Sequence, residues 1–376
     1  MKTAKQEPAH DSRPAIYLEE GKLTENIDDL EAAAIAAEPD LFVSGNRLVM
    51  VTQASKQHAG IVRQKTAPIL IAPDGLRIAE ILTQSAQIKR YDARSQEYKT
   101  VNCPRRLADT YLARHSYKFP LLAGFVEGPT LRPDGTLLDV PGYDPRSGLY
   151  LTDNVPGDYK PPKRSRSAAE IAVDVILDLI SEFPHVDGAD ESASVAAILT
   201  GLTRRPVPAA PLIAISATTP GTGKSHLTDL ISILATGRPA PVMAQGDDQN
   251  ETDKRLIGLL MAGDQVAALD NVERPLAGDI LCQASTQQFM RLRPLGVSTL
   301  QTVPTNTALI VNGNNLQIRG DLRRRILSIR LDAGMERPEQ RTFKHDVLAH
   351  ALRLRGYYIA AALTLPCLLY TSDAAD

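Results

Sequence analysis

Residues 211–227 read PLIAISATTPGTGKSHL, and this stretch decides the fold. Pro211–Ala217 is a short apolar run containing Ile213 and Ile215, the pattern of a buried strand in a parallel sheet. Pro220-Gly221-Thr222-Gly223 predicts a glycine-rich turn, and Lys224-Ser225 opens a helix that reaches about Leu234. Strand, glycine turn, Lys-Ser and helix, in that order, make a phosphate-binding loop. Gly221 and Gly223 let backbone N–H groups turn toward phosphate oxygens. Lys224 brings positive charge to the β- and γ-phosphates, and the Ser225 hydroxyl offers an oxygen to Mg²⁺. Pro220, Thr222 and His226 complete the expected contact surface, and the helix dipole favours the anion. The expected ligands are ATP and Mg²⁺. The full glycine pattern places a glycine where this chain has Thr218, but the core PGTGKS is intact.

Length and composition bound the rest. At 376 residues there is room for two or three domains. A 43% hydrophobic chain is typical of a globular protein, and a formal net charge of −2 provides no global field for nucleic acid. Any such contact must come from local patches. No apolar run is long enough to span a membrane, and MKTAKQEPAHDSRPAIY lacks the apolar core of a signal peptide. Cys103, Cys282 and Cys367 lie far apart with no metal-ligand spacing. These features predict a cytoplasmic, disulfide-free protein.

Taken in order, residues 1–14 read as unstructured. Thr24 is a candidate cap for a helix over about Glu25–Ala37. Leu41–Val51 predicts a hairpin turning at Gly45-Asn46. Extended runs follow near Ile69–Ile71 and Tyr98–Val101, then a short helix over Arg106–Arg114 and an extended run at Leu121–Val126. Residues 1–160 are therefore read as a smaller mixed α+β region with no catalytic motif. Tyr159–Ser167, YKPPKRSRS, is a proline-rich basic linker. Helices over Ala168–Glu182 and Glu191–Leu202 lead into the loop strand.

Downstream, Gln265–Leu269 predicts a second strand, ending in Asp270-Asn271. A carboxylate at the end of a strand beside the phosphate loop reaches Mg²⁺ directly or through water. By the resemblance described below, Asn271 stands where a water-orienting glutamate is common; either it positions the water itself, or Glu273 or Glu251 helps. Thr307–Val311 predicts a third strand ending in Asn312-Gly313-Asn314-Asn315. By the resemblance described below, Asn314 is the preferred contact for the γ-phosphate or attacking water, with Asn312 and Asn315 behind it; a plain Asn-Gly turn is the alternative. Arg324 and Arg325 follow, with Arg323 as a spare. By the resemblance described below, such arginines act across a subunit interface on charge developing at the γ-phosphate; a solvated basic turn is the alternative.

The order PGTGKS, ALDNV, NGNN, GDLRRRILSIRLD resembles the AAA+ ATPases. Within them it looks most like the superfamily 3-type helicase domains of phage and plasmid primase–helicase proteins. The likeness covers about Ala168–Arg341, with a weaker trace back to Leu121. It implies an α/β P-loop NTPase fold, a parallel sheet flanked by helices, over residues 168–341. It also implies a homo-oligomeric, hexameric ring that moves on single-stranded DNA by ATP hydrolysis, often with a primase partner. The catalytic set implied is Lys224, Asp270, Asn271, Asn314, Arg324 and Arg325, with Ser225 and Asp270 at the metal. By the same resemblance, a DNA-gripping hairpin lies within Phe289–Ser298, turning at Pro294 and Gly296, with Arg291 and Arg293 on phosphates. The expected function is an ATP-dependent DNA helicase or translocase in replication of a phage, plasmid or integrated element. A remodeller of proteins on DNA and a nucleotide switch with little turnover are the alternatives.

Phe343–Leu365 reads as helical and stops at Pro366, so residues 342–366 would begin a helical segment. Cys367–Asp376, CLLYTSDAAD, resembles a translated sequencing adapter and is assigned no function.

Overall fold

The computed structural model describes residues 11–37, 40–53, 57–58, 61–62, 67–293 and 300–372. The chain forms two compact units, Met1–Met50 with Ile71–Pro120, and Val51–Leu70 with Leu121–Asp376. The division falls at Pro120, not near the 160 boundary read from the sequence. The reason is a pair of buried arginines. Arg205 donates through Nε to the Phe125 carbonyl at 3.1 Å, and Arg355 donates to the Glu127 carbonyl at 2.8 Å. Backbone carbonyls taken out of water need such donors, so residues 121–160 are held to the second unit.

In the first unit, a helix over Leu23–Ala36 packs Ile27, Leu30 and Ala34 against Ile78, Leu82 and Ile88. Its cap is Lys22, with no side-chain hydrogen bond, so the predicted Thr24 cap is displaced into the first turn. Gly21, at φ 84°, already turns the chain there. The hairpin at Gly45-Asn46 forms, with Ser44 paired to Arg47. A helix over Arg105–Ala113 matches the expected one.

The second unit contains helices α1 (Arg166–Ile180) and α2 (Gly188–Thr203), then strand β1 (Leu212–Ala217) and helix α3 (Lys224–Thr236). Next come β2 (Val242–Ala244), α4 (Gln249–Ala262), β3 (Val266–Asp270) and α5 (Asp279–Thr286). A hairpin of Phe289–Leu292 with Gln301–Pro304 precedes β4 (Ala308–Asn314) and β5 (Ile326–Leu331). Helices α6 (Val347–Arg353) and α7 (Arg355–Ser372) close the described chain. The five strands are mutually parallel in the order β5-β1-β4-β3-β2, and short antiparallel segments at Gln57–His58 and Ile61–Val62 extend the β2 edge.

Alternation along the strands fills a core on each face. Ile213, Ile215 and Ile310 meet Ile176, Ile198, Leu230 and Leu234 from α1, α2 and α3. Leu212, Leu269 and Val311 meet Leu256, Leu260 and Leu281 from α4 and α5. A parallel sheet covered on both faces needs apolar residues at nearly every position, and β1 and β4 have them. Fully burying one such side chain contributes about 1.5–3 kcal/mol. Truncating Leu230, which is wholly buried, to alanine would cost about 2–5 kcal/mol.

Two expectations at the C-terminal end are corrected. Phe343–Asp346 is not helical; Asp346 instead caps α6, accepting from the N–H groups of Leu348 and Ala349. Nor does the helix stop at Pro366, since α7 runs through it to Ser372. Leu363 and Cys367 lie in the α1-side core on either side of the proline, and their burial offsets the lost backbone hydrogen bond.

Candidate nucleotide site

The parallel register builds the site. Pairing of β1 with β4 sets Ala217 opposite Asn314, and pairing of β3 with β4 sets Leu269 opposite Val311. The carboxyl ends of β1, β4 and β3 thus lie side by side where the strand order reverses. In open α/β sheets this is the crevice that receives ligands. The β4 strand is longer than the sequence suggested, ending at Asn314 rather than Val311, because Ala217 still offers a backbone partner there.

Gly221 and Gly223 have φ of 76° and 107°, in the left-handed region that side-chain-bearing residues avoid. A Cβ on Gly221 would also lie 3.1 Å from Oε2 of Glu339. Thr218 is not among the residues with positive φ, so replacing the expected glycine with threonine costs no backbone strain. The Thr222 side chain is buried and its hydroxyl donates to the Thr219 carbonyl at 2.6 Å, pinning the loop from within. Gly223 caps α3 with no side-chain acceptor, leaving the first N–H groups of that helix free to meet an anion.

Four predicted residues come together. Lys224 donates through Nζ to Oδ1 of Asn314 at 2.6 Å. Ser225 donates through Oγ to Oδ1 of Asp270 at 3.4 Å. Burial holds the Lys224 ammonium below the usual lysine value, and the Asp270 charge pulls it partway back. The loop borders a cleft of about 840 Å³, walled by Gly221–His226 and by Glu182, Phe183 and the 338–348 segment. His226 lies on its rim, exposed, and Pro220 is exposed at the loop's start.

Asn271 sits beside Asp270 with φ 52°, a conformation asparagine tolerates better than most side chains. Its amide donates to Oε1 of Glu273 at 3.0 Å, linking the two residues considered for orienting water. Glu251, the other one, is occupied by Arg255 at 3.3 Å on the first turn of α4. Asn312 is 2% exposed and is a strut rather than a ligand contact. Its Oδ1 accepts from the Asn271 N–H at 3.1 Å, and its Nδ2 donates to Thr228 at 3.3 Å. Asn315 is exposed, with φ 47°.

Arg324 and Arg325 lie at the opposite end of the sheet. They occupy a 3₁₀ turn over Gly320–Arg325, just before β5. Both guanidiniums bind Asp321, each through Nε at 2.8 Å, and hold its carboxyl below the usual range. They border a shallow depression shared with Ala209, Ala210 and Pro211. Six strand residues, or roughly 20 Å, separate that end of β1 from the 218–223 loop. Neither side chain spans that distance within its own chain.

In the Phe289–Leu292 strand, Met290 and Leu292 are buried while Phe289 and Arg291 face outward, and Arg293 is exposed beyond them. Among the described residues neither arginine has an acidic partner. The turn expected at Pro294 and Gly296 lies outside the described residues. No His/Cys/Asp/Glu cluster suited to a metal occurs among the described residues, and no helix among them is long and apolar enough to cross a membrane.

No family model matches the chain, and no curated protein matches it. Among solved structures the chain is similar to an apo A-form structure of the NrS-1 C-terminal region. Identity there is 13%, covering 78% of this chain and 69% of that one, with a TM-score of 0.36. A second apo A-form structure, of residues 305–718 of that region, gives 13% identity, 77% and 69% coverage and a TM-score of 0.36. At these values neither names a family for the chain.

Proposed function

We propose that this chain is an ATP-driven motor that moves on single-stranded DNA, as a helicase or translocase in replication of a phage, plasmid or integrated element. The observation that carries the reading is the register of Ala217 with Asn314. With the β3–β4 pairing, it brings Lys224 to Asn314 and Ser225 to Asp270 at adjoining strand ends.

Bound Mg²⁺-ATP supplies the transferable phosphoryl group and a charge-neutralising cation. The residues present suit that ligand. Ser225 and Asp270 are hard oxygen donors, and Mg²⁺ needs only one or two from protein because it retains water. Gly221, Thr222 and Gly223 present backbone N–H groups to the phosphates, and Lys224 neutralises their charge. Asn314, already fixed by Lys224, holds the attacking water with its Nδ2. Asn271 and Glu273 form a hydrogen-bonded pair beside Asp270, and together they replace a single water-orienting carboxylate. In this reading Arg324 and Arg325 serve the loop of a neighbouring copy in a homo-oligomeric ring, a role with which their distance from their own loop is compatible. Phe289, Arg291 and Arg293 present one ring and two positive charges to DNA. A primase is the natural partner for such a motor.

The test is ATP hydrolysis with and without single-stranded DNA, followed by strand displacement. Stimulated hydrolysis with displacement supports the reading. Hydrolysis without displacement points to a remodeller of proteins on DNA. The amide at Asn271 favours a second reading, a slow nucleotide switch, which would show binding with negligible turnover.

A further inference from the structure

In the first unit, Ala15–Leu18 pairs in parallel with Gln87–Asp92, which pairs antiparallel with Glu97–Thr100. One face of this sheet is core: Ile16 and Ile88 are buried with Ile27 and Leu30. The other face carries Tyr17, Tyr91 and Tyr98, and each ring is about half exposed, at 50%, 49% and 48%. They touch one another edge-on, with centroids 4.8 Å apart for Tyr17–Tyr98 and 5.5 Å for Tyr91–Tyr98. Three contiguous tyrosines on an open sheet face do not serve that sheet's own core.

Charge on the same face is one-sided. Lys89 lies opposite Tyr17 on one side and Thr100 on the other. Among the described residues it has no acidic partner. Strand alternation puts Arg90, Asp92, Glu97 and Lys99 on the opposite side, where Asp92 is engaged by Lys99. The tyrosine face therefore offers rings and a single positive charge. Flat aromatic faces beside a cation are what single-stranded nucleic acid requires, since every base has a π-face and every link a negative phosphate.

We propose that Tyr17, Tyr91, Tyr98 and Lys89 form a second contact for single-stranded nucleic acid, on the first unit, independent of the nucleotide site and of Arg291 and Arg293. Bases stack on the tyrosines and Lys89 takes a phosphate. The chemistry is shared by DNA and RNA, so both are used as probes.

The experiment measures fluorescence anisotropy of labelled oligothymidylate and oligouridylate with the full chain and no ATP. It is run in the wild-type and in the Arg291→Ala/Arg293→Ala background, so that failure of the hairpin contact cannot mimic failure here. Replacing all three tyrosines by alanine should weaken binding at least about fivefold for each lost stack, in both backgrounds. Replacing them by phenylalanine should keep wild-type affinity, and by leucine should lose it as alanine does. Lys89→Ala should reduce the slope of log K against log salt by about 0.7. The polymer showing the larger loss identifies the strand bound. Unchanged affinity in the alanine variant, with its circular dichroism intact, would overturn the proposal. So would full binding by the leucine variant, which would make the face an apolar protein contact.

Discussion

Asn314 Oδ1 accepts a hydrogen bond from Lys224 Nζ at 2.6 Å, joining the end of β4 to the first residue of α3 across 90 positions of sequence. The contact exists because β1 and β4 pair in a register that sets Asn314 against the last residue before the loop. It engages the lysine and fixes the amide. Asn314→Ala should therefore leave nucleotide binding largely intact while lowering turnover by about 10² or more, the usual cost of removing one aimed donor. Single-turnover hydrolysis alongside equilibrium nucleotide binding separates the two effects.

Asn312→Ala probes the strut beneath the site. The change leaves the buried Thr228 hydroxyl without this partner and removes the acceptor of the Asn271 N–H. Leaving such groups unpaired costs about 1–3 kcal/mol. Urea unfolding should show that loss with little change in its denaturant slope, and an unaltered midpoint would mean that another group takes over both bonds.

Much of this is legible in the sequence. The strand, the loop and α3 follow from PLIAISATTPGTGKSHL, because burial, glycine conformation and helix start all act within a few residues. Asp270 and Asn314 are legible as strand ends. What local pattern does not supply is the strut. Asn312 reads as a spare contact, although a polar residue one step inside an apolar strand is a signal for a buried hydrogen-bonding role. Glu339 above Gly221 gives no signal, since its approach depends on where the chain returns after β5. The division at Pro120 is equally hidden, because it depends on Arg205 and Arg355, far along the chain from the carbonyls they bind. Pro366 misleads because tertiary burial of Leu363 and Cys367 outweighs a local helix breaker.

If the loop lysine holds nucleotide as proposed, binding should be sensitive to alkaline pH. Its folded pKa lies below that of an ordinary lysine, chiefly through burial. Between the folded value and the unfolded value of about 10.4, the folded chain binds fewer protons than the unfolded one. Stability therefore rises with pH across that window, while the Lys224 positive charge is lost. Metal-free nucleotide affinity should fall at a lower pH than an exposed lysine would allow, with circular dichroism unchanged. Asp270→Asn removes the charge that sustains the ammonium and should move the fall lower still. Affinity that stays level up to the ordinary lysine value would count against a role for Lys224 charge.

Arg324 and Arg325 lend themselves to a mixing test. Alone, the Arg324→Ala/Arg325→Ala chain and the Lys224→Ala chain should each be nearly inactive, with losses of about 10³ or more for the arginines. Mixed, they should recover part of the activity, because some interfaces then pair an intact loop with intact arginines. Hydrolysis by a species that light scattering shows to be monomeric would rule out the role in trans.

The hairpin arginines predict a salt signature. The Arg291→Ala/Arg293→Ala chain should keep basal hydrolysis and bind single-stranded DNA less tightly. Its log K against log salt slope should shrink by about 1.4, because two single-strand phosphates then keep their counterions. Phe289→Ala should weaken binding without changing that slope, since a stacked ring releases no counterion.

The central claim is that the Lys224–Asn314 and Ser225–Asp270 pairs form a nucleotide-hydrolysing site, and the most direct measurement is Mg²⁺-dependent ATP hydrolysis by the purified chain beside Lys224→Ala and Asp270→Ala. The account predicts measurable turnover in the wild type, loss of both binding and turnover in the lysine variant, and retained binding with lost turnover in the aspartate variant. Equal turnover in all three chains, or ATP binding indifferent to Lys224, would contradict it.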